Sequence, residues 1–167
     1  FTIVNAVLLR PLPYPESERL MQLGRAFVGE DIAYDLSAPK FIFLRNNLES
    51  FEAITATQEL GPNLVLSDDT QPEYVHGVLV TADFFRVLGV HPSSGRSFTP
   101  EEDGPSVERV AIIGDGFWRR RFGANDDIIG KSITLNGTAY TVIGVMPPGF
   151  EYSGPQDVLL PSGMDPM

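Results

Sequence analysis

Ser132-Ile133-Thr134-Leu135-Asn136-Gly137-Thr138-Ala139-Tyr140-Thr141-Val142 decides how this chain is read. Apolar and polar residues alternate on both sides of an Asn-Gly pair, and Asn-Gly supplies the two positive-φ residues of a type I′ turn. In that register Ile133, Leu135, Tyr140 and Val142 share one face, while Ser132, Thr134, Ala139 and Thr141 share the other. A one-residue slip would turn the apolar set to solvent, so the register of this β-hairpin is fixed by its own sequence. Residues 145–150, with Pro147-Pro148-Gly149, end the second arm, and residues 157–161 read as one more short strand.

Working back from the hairpin, residues 109–113 are an apolar β-type run. Asp115 is placed to cap a short helix carrying Phe117, Trp118, Arg121 and Phe122, closed by Gly123. Residues 91–108 read as a loop. Residues 82–88 form a second short helix with Thr81 as cap, and Gly89 takes the left-handed position after it. Three β-prone runs precede it, 51–60, 63–67 and 73–80. Gly61-Pro62 and Asp68-Asp69 separate them, which predicts an antiparallel meander. Ser37 and Pro39 start a helix in which Phe41, Leu44 and Leu48 recur at helical spacing. Residues 28–36 read as a loop and residues 19–23 as a strand. Pro11, Pro13 and Pro15 stop any helix before that. Residues 1–9 are almost wholly apolar, and they read either as the last turns of a membrane span or as an amphipathic element of the domain itself.

The composition is globular, with 43% hydrophobic and 20% charged residues among 167. Sixteen glycines and fourteen prolines favour short elements and many turns over a helix bundle. A net charge of −10 without a long basic stretch argues against nucleic acid, whose binding depends on Lys and Arg at phosphates. The absence of cysteine excludes disulfides, thiolate metal sites and a cysteine nucleophile. No run of about 18 apolar residues completes a membrane span.

Sites of chemistry are scarce in this reading. Gly130-Lys131-Ser132 matches the end of a phosphate-binding loop, but Asn125 stands where that loop needs glycine, and a strand rather than a helix follows. His76 and His91 each lie alone, without a second histidine or a carboxylate at helical spacing. Asp68-Asp69, Glu101-Glu102-Asp103 and Asp126-Asp127 match no calcium-loop spacing and read as solvated turns and helix starts. No Gly-x-Ser-x-Gly elbow is present. Trp118-Arg119-Arg120-Arg121-Phe122 is the one basic cluster, its aromatics read as core and its arginines as surface partners of nearby acids.

Several phrases in order carry a family resemblance. Residues 5–14 (NAVLLRPLPY) resemble the exit from the first transmembrane helix of MacB-like ABC-transporter permeases. Residues 84–90 (FFRVLGV) with 95–98 (GRSF), residues 110–113 (VAII) with 117–123 (FWRRRFG), and residues 129–131, 135–137, 140–148 and 157–158 are similar to further stretches of the same family. The resemblance implies an α+β fold in two lobes outside the bacterial cytoplasmic membrane. Residues 1–15 would be the end of a transmembrane helix and a linker, 16–90 a porter-like lobe with mostly antiparallel strands, 91–156 a smaller, mainly β sabre-like lobe, and 157–167 a strand returning to the first lobe. It implies no catalytic role for this chain. ATP would be bound by a separate ATPase domain or subunit, so no cofactor is expected here. Expected partners are a second permease copy, a cytoplasmic ATPase, and a periplasmic adaptor or lipoprotein. Arg119, Arg120 and Arg121, with Glu101 and Glu102 in the 97–108 loop, are the expected partner surface. The chain stops ahead of a second porter half that the family carries, so exposed apolar surface, an open strand edge and self-association are expected. The alternative is an exported ligand-sensing module, with a polar pocket at the 90/91 junction.

Overall fold

The computed structural model describes residues 13–23, 33, 35–67, 71–104 and 108–164. The expectations for residues 1–12, for most of the 28–36 loop and for the Asp68-Asp69 turn lie outside the described residues. The hairpin forms as its sequence requires. Strands β5 (Ser132–Leu135) and β6 (Thr138–Val145) pair Ile133 with Tyr140 and Leu135 with Thr138. Asn136 and Gly137 carry the turn at φ 49° and 75°. Ile133, Leu135 and Val142 are buried, with Tyr140 packed against them.

Before the hairpin come helix α1 (Ala38–Asn47), strands β1 (Thr57–Ser67) and β2 (Glu73–Val80), helix α2 (Phe84–Leu88), strands β3 (Ser94–Gly95) and β4 (Val110–Ile113), and helix α3 (Asp115–Phe122). Strand β7 (Val158–Pro161) follows it. Among the described residues all seven strands join one sheet in the order β3-β6-β4-β7-β2-β1-β5, and β5 also pairs with β6. That extra pairing closes the row into a ring. Most neighbours are antiparallel, but β2 with β7 and β4 with β6 are parallel.

Residues alternate between two apolar clusters as a pleated strand demands. Ala111, Ile113, Val158 and Leu160 join the first cluster with Leu66, Val75, Leu135 and Val142, and α3 adds Phe117. Val110, Ile112 and Leu159 join the second with Val78 and Val80, and α2 adds Phe84, Phe85 and Leu88. Full burial of each large apolar side chain is worth about 1.5–3 kcal/mol. The strands are therefore held on both faces, as their near-continuous apolar runs require.

The structure differs from the sequence reading in several places. The stretches expected as separate lobes, 16–90 and 91–156, share one sheet: β1 pairs with β5 through Leu66 and Leu135, and both clusters draw on both stretches. The meander is a single hairpin, because Gly61 at φ 60° forms an irregularity within β1 and pairing resumes at Leu64. A bulge absorbs an extra residue without ending a strand. Residues 51–56 stay outside the sheet. The strand expected over 19–23 does not form: residues 17–19 make a 3-10 turn and residues 20–23 join no strand. Thr81 does not cap α2; its hydroxyl bonds Thr55 Oγ1 at 2.8 Å and accepts from the Ala56 N–H. Asp115 is the first helical residue of α3 rather than its cap, and its carboxylate pairs with Arg119 one turn on.

Candidate interaction surface

The three arginines follow each other on α3, so they splay around the helix and meet different partners. Arg119 pairs with Asp115 at 2.9 Å and lies 5.6 Å from the Trp118 ring centre. Arg120 reaches Glu73 at the start of β2 (2.8 Å) and Asp157 just before β7 (3.2 Å), and stacks on the buried Phe117 ring. Arg121 Nη2 donates to the Gln71 carbonyl at 3.1 Å. Arg120 and Arg121 thus tie α3 to the rim of the sheet, while Arg119 stays within its own helix. Asp157 also accepts from the His76 backbone N–H at 3.0 Å, so one carboxylate joins β2, β7 and α3. Hydrogen bonding to Glu73, against some burial, raises the Arg120 pKa further above its ordinary value. The Arg120–Glu73 pair is half exposed, and such pairs contribute about 1 kcal/mol or less. The pairing of the arginines with nearby acids and the burial of Phe117 match the sequence reading.

Glu101 and Glu102 sit at the opposite end. Glu73 and Asp157 lie at the starts of the parallel strands β2 and β7, whereas Asp103 bonds Ala82 and Ser162 just past their ends. At about 3.3 Å per residue, β2 alone sets these groups about 25 Å apart. The arginines and Glu101-Glu102 therefore belong to different surfaces. Glu101 is exposed, and hydrogen bonds from its own backbone N–H and from Thr99 lower its pKa. Glu102 is buried. It accepts both guanidinium nitrogens of Arg96, at 2.7 and 2.9 Å, and reaches back to the Thr99 N–H at 2.8 Å. Burial pushes its carboxyl upward, but Arg96 and the Thr99 N–H outweigh that and hold it below the usual value of 4.5.

Glu102 is thus a fastener of its own loop. This corrects the expectation of Glu102 as partner surface; the spacing Thr99-x-x-Glu102 around Pro100 is a capping-box signature that the sequence reading passed over. Asp103, Arg96 and Ser162 were missed for want of any local pattern. Because the folded-state pKa of Glu102 is depressed, its stabilisation is present above the unfolded value and is lost as pH falls through the folded one. Glu102→Gln is expected to cost about 1 kcal/mol near neutral pH, discounted for the half-exposed Arg96. The gap to wild type should close in acid. Urea midpoints measured from about pH 7 to about pH 3 check this, and a gap that stays constant would contradict it.

His76 is exposed on β2 and borders an open depression of about 200 Å³ shared with Glu59, Gly61 and residues 153–156. At the 90/91 junction, Val90 packs on the second cluster and the Ser93 N–H donates to the Val145 carbonyl at 2.8 Å. Asp126-Asp127 lie in a 3-10 turn whose cap, Asn125, accepts from the Asp127 N–H.

Residues 2–165 match the family described as the MacB-like periplasmic core domain. The chain belongs to that family. Over 123 residues it is 29% identical to the macrolide export ATP-binding/permease protein MacB of Hahella chejuensis, a match covering 71% of this chain but only 19% of that relative. The MacB-like fold recurs in solved structures. The periplasmic region of MacB from Actinobacillus actinomycetemcomitans aligns with a TM-score of 0.60 at 19% identity, over 78% of this chain and 56% of that one. The extracellular domain of the noncanonic ABC-type transporter YknZ from Gram-positive bacteria aligns at 0.61 and 18% identity, over 75% and 62%. No helix among the described residues is long and apolar enough to cross a membrane.

Proposed function

We propose that this MacB-like domain is the extracytoplasmic part of an ABC-transporter permease in the bacterial cytoplasmic membrane. In this reading it transmits ATP-driven motion outward and docks partners or cargo. The observation that carries the proposal is the family match over nearly the whole chain. The closed, doubly covered sheet supports it, because a domain that conveys displacement must move as a unit rather than deform. The role is mechanical. ATP binding and hydrolysis belong to a separate domain or subunit, and the working assembly is a dimer of permease copies with a cytoplasmic ATPase. A periplasmic adaptor or lipoprotein would dock on the α3 surface or, separately, on the loop bearing Glu101.

The experiment uses the intact transporter from its native reading frame. The chain holds no cysteine, and Met21 is 75% exposed, so Met21→Cys places a single accessible thiol in this domain. A membrane-impermeant maleimide added outside intact spheroplasts should label it, at a rate that differs between nucleotide-free and hydrolysis-arrested transporter. Labelling only after lysis would overturn the placement. A rate indifferent to nucleotide would overturn the transmission.

A further inference from the structure

Two segments far apart in sequence, residues 13–20 and 162–164, converge on one short helix. The first lies against the C-terminal end of α2. Tyr14 and Leu20 pack on the second cluster, and the Tyr14 hydroxyl donates to the Glu151 carbonyl at 2.8 Å. Pro15 lies over Gly89, the left-handed residue that ends α2 at φ 65°. A Cβ there would sit 3.3 Å from Pro15 Cβ, tighter than ordinary contact. Arg19, exposed, pairs with Glu16 in the same segment and with Glu52 at 2.6 and 2.8 Å.

The second segment is fastened at the other end of α2. The Ser162 N–H donates to the Val80 carbonyl at 2.9 Å. Asp103, buried beside it, takes the Ser162 hydroxyl on one carboxylate oxygen (3.2 Å) and the Ala82 N–H on the other (2.6 Å). The Met164 N–H in turn donates to Ser162 Oγ. From Ala82 to Gly89 is about 10 Å at helical rise, and Phe84, Phe85 and Leu88 are buried between.

We infer that α2, with Gly89 at one end and the Asp103–Ser162 clasp at the other, is a rigid joint that couples residues 13–20 to residues 162–164. The joint rests on the transporter reading for its purpose, in which residues 13–20 follow a stretch that leaves the membrane. Its mechanics stand on the contacts alone. A bury-and-clasp arrangement at both ends of five helical residues means that displacement at Pro15 is felt at Ser162, and the reverse.

Hydrogen exchange on the full chain tests this, each substitution being read at the far end. Gly89→Ala pushes on Pro15; the readout is the Ser162 and Met164 amides. Asp103→Asn keeps the shape but replaces one acceptor oxygen with an NH₂ group; the readout is the Arg19 and Leu20 amides, which donate to Glu16 and Ser17. Gly123→Ala is the control, because Gly123 ends α3 at φ 60° with nothing near its would-be Cβ, and so carries the same backbone strain without a strap. Acceleration of about tenfold at the far end for both variants, with the β4 amides and the control unchanged, is the expected result. Acceleration confined to the mutated end, or shared equally by β4, overturns the joint. Neither outcome touches the transporter reading, which stands or falls on the thiol labelling of the intact transporter.

Discussion

Phe84→Ala is expected to lower stability by about 3–5 kcal/mol. Phe84 is fully buried, and its ring meets three others edge-on: Phe85 at 5.4 Å, Tyr152 at 5.1 Å and Phe150 at 6.4 Å between centroids. Truncation removes the transfer free energy of the ring and also those quadrupole contacts, and it leaves a cavity. The walls are poorly placed to collapse. Val78, Val80 and Leu159 are fixed in the sheet, and α2 is held at both ends. For a chain of this size each kcal/mol shifts the melting point by about 2–4 °C, so a drop on the order of 10 °C should accompany the change. Urea unfolding gives the number directly. A loss below about 1.5 kcal/mol would mean that Phe150 and Tyr152, both on a loop, move in to fill the space.

Gly95→Ala carries the second large expectation, about 2–4 kcal/mol. Gly95 sits in β3 opposite Gly144 at φ 79°, and a Cβ there would run into the Ile143 carbonyl and come within 2.8 Å of the Gly144 Cα. Backbone strain at a left-handed position costs about 1–2 kcal/mol for a residue with a Cβ. The close approach adds to it, because backbone on β6 cannot step aside without breaking its pairing with β4. The same push disturbs the Arg96 N–H, which donates to the Ile143 carbonyl at 2.9 Å, and through Arg96 the Glu102 pair. Gly130→Ala separates the two effects: Gly130 has φ 84° but open space around its would-be Cβ. Thermal melts of the two variants should differ by the clash. Equal losses would show that β3 yields freely and that only conformational strain is felt.

How much of this was readable depended on range. The β5–β6 hairpin, α1, and the glycine stops at Gly89 and Gly123 were all legible, since each is set by residues within one turn or one strand of it. The join at Gly61 was misread because a bulge and a strand end have the same Gly-Pro signature. The alternation of Val158, Leu159 and Leu160 marks a strand buried on both faces, but nothing local names β2 and β4 as its neighbours. The surface shows the same split. Arg119 meeting Asp115 is a one-turn relation visible in the sequence, whereas Arg120 meeting Glu73 and Asp157 depends on the sheet having formed. Glu102 and Asp103 look like solvated acids in a polar loop. Only the fold reveals that they face inward, one to a guanidinium and one to a helix start and a strand end.

The place of β7 in the sheet sets an order of events during synthesis. The last of the described strands occupies the middle of the row, between β4 and β2. Until Val158 leaves the ribosome, β2 has an open edge on the side away from β1, and β4 has one on the side away from β6. Leu159, which fills the second cluster, is also missing. A nascent chain therefore carries β2-β1-β5-β6-β4 as one row, joined through the β5–β6 hairpin and open at both ends, each end an aggregation template until β7 closes the ring. A chain cut short between β6 and β7 would keep six of the seven described strands yet bare both edges and the space that Leu159 fills.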